Sequence, residues 1–283
     1  MPCANLTLTI PDDIDAVVHN ALQEDVGDGD VTASLIPATR MCNARVVCRE
    51  PAVLAGSPWF ERVFHQLDPA VSVTWLHTEG RLLARDDVVC RLAGPARAIL
   101  TGERTALNFL QTLSATATVT RDYVNALGTS RTRVLDTRKT VPGLRSAQKY
   151  AVRAGGGVNH RMGLFDAILI KENHIAAAGS ISAAVAALRR SHPGLRIEVE
   201  VENMQELDEA LANGVEMIML DNFDLAAMHS ATAHVAGRAE VEISGGLELD
   251  ALAALGKTGA DFVSIGALTK HIRAIDFSMR IEA

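Results

Sequence analysis

Between residues 133 and 266 the chain repeats one pattern: a short aliphatic run ends on a polar or small residue and gives way to a helical stretch. Val134-Leu135 leads into Asp136-Thr137-Arg138-Lys139, Ile168-Leu169-Ile170 into Lys171, Ile218-Met219-Leu220 into Asp221, and Val241-Glu242-Ile243 into Ser244. Such aliphatic strands are buried on both faces, as in a parallel sheet covered by helices. Strands ending near Lys171, Glu200, Asp221, Ser244 and Gly266 follow one another at steps of roughly 20 to 30 residues, room for one strand and one helix each. An earlier strand ends near Thr137. Asn203 with Glu206 forms a capping-box pattern, and Gly214, Gly237 and Gly256 follow predicted helix ends. Six or more such units can close a barrel. An open doubly wound sheet is the structural rival, but the chain lacks a Gly-x-Gly-x-x-Gly turn after its first strand, and Gly155-Gly156-Gly157 follows a helix instead. The pattern predicts an α/β barrel with its chemistry at the C-terminal ends of the strands.

The first third is organised differently. Ile14, Val17, Val18 and Leu22 fall at helical spacing, and Asp25-Val26-Gly27-Asp28-Gly29-Asp30 breaks that helix. Strands over 43–49, 71–77 and 81–91, with a helix over 59–67, predict a small α+β domain, and residues 96–127 a long helix after it. With 48% hydrophobic residues in 283, the chain can bury a substantial core. A net charge of −7 argues against nucleic acid or a membrane surface as partner, since both call for a broad basic footprint. Cys3, Cys42, Cys48 and Cys90 form no CxxC pair and have no histidine at zinc spacing, so they read as reduced thiols. Met1-Pro2-Cys3-Ala4-Asn5 has neither a basic nor an apolar targeting run, and no apolar stretch approaches the roughly 20 residues of a spanning helix; the expected compartment is the cytoplasm.

The polar residues at the strand ends suggest the ligand. Arg196-Ile197-Glu198-Val199-Glu200-Val201-Glu202 alternates, so its glutamates share a face, and packing the aliphatic face on outer helices turns at least Glu200 into the barrel. A carboxylate there needs a cation beside it, whether metal, lysine or arginine. From Arg131 to Lys171 the chain carries nine basic residues against Asp136 and Asp166 alone, focusing positive charge where the barrel mouth should lie. Arg145, Lys149 and Arg153 read as a solvated helix face; Arg138, Lys139, Arg161 and Lys171, beside strand ends, are the better anion ligands. Ser244-Gly245-Gly246 and Ser264-Ile265-Gly266 place small residues at the last two strand ends, where backbone N–H groups can approach a phosphate. His160 sits between the triple glycine and Arg161, a setting for either a ligand contact or a core histidine. His229 and His234, five apart on a helix, read as structural.

Several runs, in one order, resemble quinolinate phosphoribosyltransferase, also called nicotinate-nucleotide pyrophosphorylase (carboxylating), from end to end. They are Glu24-Asp25-Val26-Gly27-Asp28-Gly29-Asp30-Val31-Thr32, Gly102-Glu103-Arg104-Thr105-Ala106-Leu107-Asn108, Asp136-Thr137-Arg138-Lys139-Thr140, Asn159-His160-Arg161, Leu169-Ile170-Lys171-Glu172-Asn173-His174, Leu220-Asp221-Asn222-Phe223 and Ser244-Gly245-Gly246. The chain departs at Val141, where a second threonine is common, and at Ala154, where cysteine is. The resemblance implies an N-terminal α/β sandwich (1–112, with 268–283 returning to it) and an incomplete barrel of about seven strands (113–267). It implies a Mg²⁺-dependent, decarboxylating transfer from phosphoribosyl pyrophosphate to quinolinate, giving nicotinate mononucleotide for NAD biosynthesis. It also implies a homodimer, possibly a higher assembly, in which Arg104 is lent to the neighbouring subunit's site. By matching position, Arg104, Arg138, His160, Arg161 and Lys171 hold the quinolinate carboxylates, with Thr137 beside them and Lys139 near the anion-binding region. Glu200 and Asp221 hold the ribose hydroxyls and Mg²⁺; Ser244, Gly245, Gly246, Ser264 and Gly266 surround the 5′-phosphate; Lys139, Lys171, Glu200 and Asp221 are the candidate catalytic groups.

Three other functions are compatible with these residues. A transferase on the same scaffold could take nicotinate without decarboxylation, although the surplus of cations favours a dicarboxylate. A Schiff-base barrel would use Lys171 as nucleophile, for which no electrophile is implied. A sensor of phosphosugars would keep the anion site without turnover, against which the intact Glu200, Asp221 and Lys171 count.

Overall fold

The computed structural model describes residues 8–282; Cys3 and the run Met1-Pro2-Cys3-Ala4-Asn5 lie outside them. Along the chain run α1 (Ile14–Val26), β1 (Met41–Cys48), β2 (Ala52–Val53), α2 (Ser57–Leu67), β3 (Ser72–Trp75), β4 (Leu82–Leu83), β5 (Val88–Pro95), α3 (Ala96–Ala126), β6 (Arg133–Leu135) and α4 (Arg145–Gly155). There follow β7 (Ile168–Ile170), α5 (Glu172–Ala178), α6 (Ile181–Ser191), β8 (Ile197–Val201), α7 (Met204–Ala212), β9 (Met217–Asp221), α8 (Leu225–Val235), β10 (Glu240–Ser244), α9 (Leu252–Leu255), β11 (Phe262–Ser264), α10 (Ala267–Lys270) and β12 (Phe277–Glu282). They form two compact units, which among the described residues comprise 8–121, 140–156 and 268–282 in one and 122–139 and 157–267 in the other.

The first unit is built on an antiparallel sheet in the order β12-β1-β5-β3, with Val46 of β1 opposite Met279 of the returning C-terminal strand. Its core is aromatic where α2 packs: Trp59, Phe60, Val63 and Phe64 are all buried, one face of the helix, and Trp59 meets the edge of Tyr150 at 5.0 Å. Gly102 lets α3 come close, since a Cβ there would lie 2.8 Å from the Phe64 ring. Glu79 accepts the N–H groups of Gly56 and Ser57 and so caps α2, which has no capping side chain of its own.

The structure corrects two expectations in this unit. Residues 81–91 are not one strand, because Asp86 at φ 70° turns the chain and Asp87 accepts the Ala84 N–H at 2.8 Å, separating β4 from β5. Lys149 is not part of a solvated face. It is 1% exposed, in a helix buried without interruption from Ala147 to Val152. Charges spaced by four residues define a face of a helix but not what lies against it. Cys42, Cys48 and Cys90 are free thiols, as expected; burial raises all three above the ordinary range.

The second unit is the barrel. Six parallel strands run in the order β6-β11-β10-β9-β8-β7, and Val158 bridges to Leu135, extending the sheet beyond β6. The order ends at β6 and β7, which do not pair among the described residues, so the barrel is incomplete. Val199, Ile218, Ile243 and Val263 are fully buried, one from each of four neighbouring strands. Asn203 caps α7 by accepting the Glu206 N–H at 3.0 Å, and Glu206 reaches back to the N–H of Glu202.

Candidate active site

The second unit holds a cavity of about 170 Å³ lined by Asp136, Thr137, Arg138, Lys139, His160, Arg161, Leu169, Lys171, Met219, Glu242, Ser244 and Ser264. Most stand at or just past the C-terminal ends of β6, β7, β10 and β11, where barrel enzymes place their chemistry. Eight of the residues singled out in the sequence therefore meet there: Thr137, Arg138, Lys139, His160, Arg161, Lys171, Ser244 and Ser264. Glu200 joins them through an ion pair with Lys171. Asp221 ends the neighbouring strand, with Asn222 donating to it. Gly245 and Gly246 are exposed just past β10. Gly266 packs against Lys139, whose Cδ would lie 2.9 Å from a Cβ at that position. Arg104 is exposed on α3, in the first unit.

Charge is unevenly matched in this cavity. The Arg138 Nε is buried without a hydrogen-bond partner among the described residues, a donor without an acceptor. Arg161 donates to the Ala167 carbonyl, and burial together with the neighbouring Arg138 lowers its proton affinity. Crowded, partly desolvated cations of one sign mark an anion site. Glu200 is pushed the other way, first by burial and also by Asp221 and Glu172, with Lys171 opposing.

Three groups behind the cations were not singled out in the sequence. Asp136 is fully buried, takes the side chain of Asn159 and the N–H of His160, and so fixes the loop that carries His160. The His160 Nε2 lies 2.8 Å from Glu198 and 3.4 Å from Glu242, both buried. The signal in the sequence is the alternation in β10, where Glu242 faces as Ser244 does, but an aliphatic run that includes one acid still reads as a strand. The His234 ring, by contrast, pairs with the exposed Asp208 on the outer helices of the barrel.

A barrel with four cations and two small-residue strand ends around one cavity defines an α/β-barrel enzyme for small phosphorylated anions. The chain matches the family descriptions "Quinolinate phosphoribosyl transferase, N-terminal domain" over residues 30–114 and "Quinolinate phosphoribosyl transferase, C-terminal domain" over residues 116–280. It belongs to the quinolinate phosphoribosyltransferase family. It is 43% identical over 272 residues, 95% of this chain and 92% of the relative, to a probable nicotinate-nucleotide pyrophosphorylase [carboxylating] of Synechocystis sp.. It is 41% identical to the one named likewise in Bacillus subtilis, over 94% of this chain and 92% of the relative. The solved nicotinate-nucleotide pyrophosphorylase of Francisella tularensis superposes with a TM-score of 0.92 at 43% identity, covering 97% of this chain and 98% of that one. Among the described residues no helix is long and apolar enough to cross a membrane.

Proposed function

We propose that the chain transfers the phosphoribosyl group of phosphoribosyl pyrophosphate to quinolinate and releases pyrophosphate and CO₂, leaving nicotinate mononucleotide for de novo NAD biosynthesis in the cytoplasm. The observation that carries this reading is the cavity that gathers Arg138, Lys139, Arg161 and Lys171 beside Ser244 and Ser264. Its two substrates bring two carboxylates, a pyrophosphate and a phosphate, and need that concentration of donors.

Arg138, Arg161 and Lys171 hold the quinolinate carboxylates, with Thr137 at the cavity wall and Arg104 added by the second subunit of a homodimer. The ring N–H of His160 is already given to Glu198, so His160 acts on the substrate through its ring surface and the acids behind it. Lys139 faces the leaving pyrophosphate. The backbone N–H groups around Ser244, Gly245, Gly246, Ser264 and Gly266 take the 5′-phosphate. Departure of pyrophosphate leaves an oxocarbenium-like ribose that the pyridine nitrogen attacks, and loss of CO₂ then leaves an electron pair on C2, next to the cations.

Glu200 and Asp221 suit Mg²⁺, which takes one or two carboxylates and completes its shell with water and substrate phosphates. They stand on paired strands, and the charge of Asp221 raises the proton affinity of Glu200, the mutual repulsion that a shared cation would relieve. The ion would supply charge neutralisation of the pyrophosphate as it leaves.

The test is product formation with Mg²⁺ and phosphoribosyl pyrophosphate, offering quinolinate and nicotinate in parallel. Turnover of quinolinate alone, with CO₂ matching mononucleotide, is the expected result; turnover of nicotinate instead would refute the dicarboxylate reading.

A further inference from the structure

We propose that Glu242 is the acid that protonates the ring carbon from which CO₂ departs. The inference rests on the decarboxylating reaction assigned above and accounts for the proton that reaction consumes.

Glu242 lies in the middle of β10, is 0% exposed, and lines the same cavity as Arg138, Arg161 and Lys171. Its carboxyl oxygens make no close hydrogen bond among the described residues; the His160 Nε2 stands 3.4 Å from one of them, and Ser264 also faces the group. An ionised carboxylate in that position would be costly, whereas the neutral acid is tolerated and keeps a proton to give. The groups that face it are Glu198 from β8, Ser264 from β11, and His160. Glu198 repels a second negative charge, and of these three groups only His160 could neutralise it.

The ring geometry decides that question. The N–H of Arg161 donates to the His160 Nδ1 at 2.8 Å, so Nδ1 carries no proton while that bond stands. Nε2 then holds the ring's single hydrogen and points it at Glu198. The 3.4 Å approach to Glu242 is left without a proton of its own. Burial disfavours a charged ring, and the two acids more than offset it and draw a second proton towards His160; the Arg161 N–H on Nδ1 opposes that second proton, and while it does so Glu242 is the group left to hold one. Burial first, and then the charge of Glu198, push Glu242 up to about 7 against the opposing pull of His160 and Ser264, where an acid both holds its proton at neutral pH and releases it readily.

The other cavity groups suit the step less. A guanidinium does not deprotonate in proteins, Lys171 is tied to Glu200, and Lys139 lies against Gly266 at the phosphate end. In the step itself the bond from C2 to its carboxylate breaks, CO₂ leaves, and the bonding pair stays on C2. That pair takes the proton of the Glu242 carboxyl, whose O–H electrons remain on oxygen. The carboxylate so formed regains a proton from water once the product has left the cavity.

Glu242→Gln and Glu242→Asp in the full chain test this with Mg²⁺, phosphoribosyl pyrophosphate and quinolinate. The amide can donate a hydrogen bond but cannot release its proton. The Gln variant should melt cooperatively, bind quinolinate within about threefold of wild type by calorimetry, and lose at least about 100-fold in kcat for both CO₂ and mononucleotide, with the Asp variant between the two. Turnover of the Gln variant within about threefold of wild type would overturn the proposal. So would a loss carried by quinolinate affinity with kcat intact, which would make Glu242 a support for His160. If the Gln variant does not fold, the same split of kcat from affinity is read from the Asp variant. Failure of the wild type to turn over quinolinate is a separate outcome, and removes the functional reading on which the inference stands.

Discussion

Arg161 donates its backbone N–H to Nδ1 of His160, the residue before it, at 2.8 Å. Because a backbone N–H can only donate, this contact settles the tautomer of a ring that would otherwise be ambiguous. Glu198 and Glu242 draw a second proton to the ring and the Arg161 contact opposes it; the outcome expected in ¹⁵N-edited NMR is that the contact prevails, with bare Nδ1 and protonated Nε2 from about pH 6 to 8, assigned by its loss in His160→Asn. A ring protonated on both nitrogens in that range would mean that the Arg161 contact yields to the two glutamates.

The proton held by Glu242 should also appear in the stability of the protein. Its folded-state value of about 7 lies above the ordinary 4.5, so between those values the folded chain binds a proton that the unfolded chain releases. This contribution is complete below about pH 4.5 and is lost as pH rises towards 7. Urea denaturation at the two ends of that window should show the loss in wild type and a flatter profile in Glu242→Gln. Parallel profiles would mean that the cluster keeps no proton in the folded state.

Lys171 serves both the cavity and Glu200. Removing it leaves a nearly buried carboxylate without its partner, but the lysine side chain is 43% exposed and water can replace part of the contact. Lys171→Met should therefore cost only about 1–2 kcal/mol of stability, while kcat/KM for quinolinate falls about 100-fold or more through loss of a positioned cation. Comparing denaturation with steady-state kinetics separates the two; a stability loss large enough to unfold the variant would contradict this account of the pair.

The barrel strands were legible because burial on both faces leaves a signature in the sequence that little else produces, and its interruption by Lys171, Asp221 and Ser244 marks the mouth directly. Lys149 was not legible, since its spacing with Arg145 and Arg153 gives a face without saying whether water lies beyond it. The turn at Asp86 was missed for a similar reason: aspartate tolerates positive φ, but nothing in Leu83-Ala84-Arg85-Asp86-Asp87 requires it. Glu198 and Glu242 were visible as strand residues, but their meeting across β9 at one histidine depends on sheet order and on the loop anchored by Asp136. Those are long-range facts that no local pattern contains.

Gly266 offers a narrower test of the phosphate end. An alanine Cβ there would come within 2.9 Å of the Lys139 Cδ and 3.7 Å of the Thr137 Oγ1, so the lysine must move, and being a flexible chain it can. Gly266→Ala should leave stability within about 1 kcal/mol of wild type and raise KM for phosphoribosyl pyrophosphate about tenfold with little change in quinolinate affinity. Equal effects on both substrates would place Lys139 elsewhere in the reaction.

Arg104 is exposed on α3 while the cations of the cavity belong to the barrel unit, and the proposed homodimer assigns it to the neighbouring subunit's site. Arg104→Ala and Lys171→Ala should each be inactive alone. Mixed under conditions of subunit exchange, half of the dimers are hybrids, in which one site carries both changes and the other carries neither. Recovery should therefore approach about a quarter of wild-type activity if the dimer is twofold symmetric and exchange is random. Demonstrated exchange without recovery would show that each site is completed within its own chain, and Arg104 would then need another explanation.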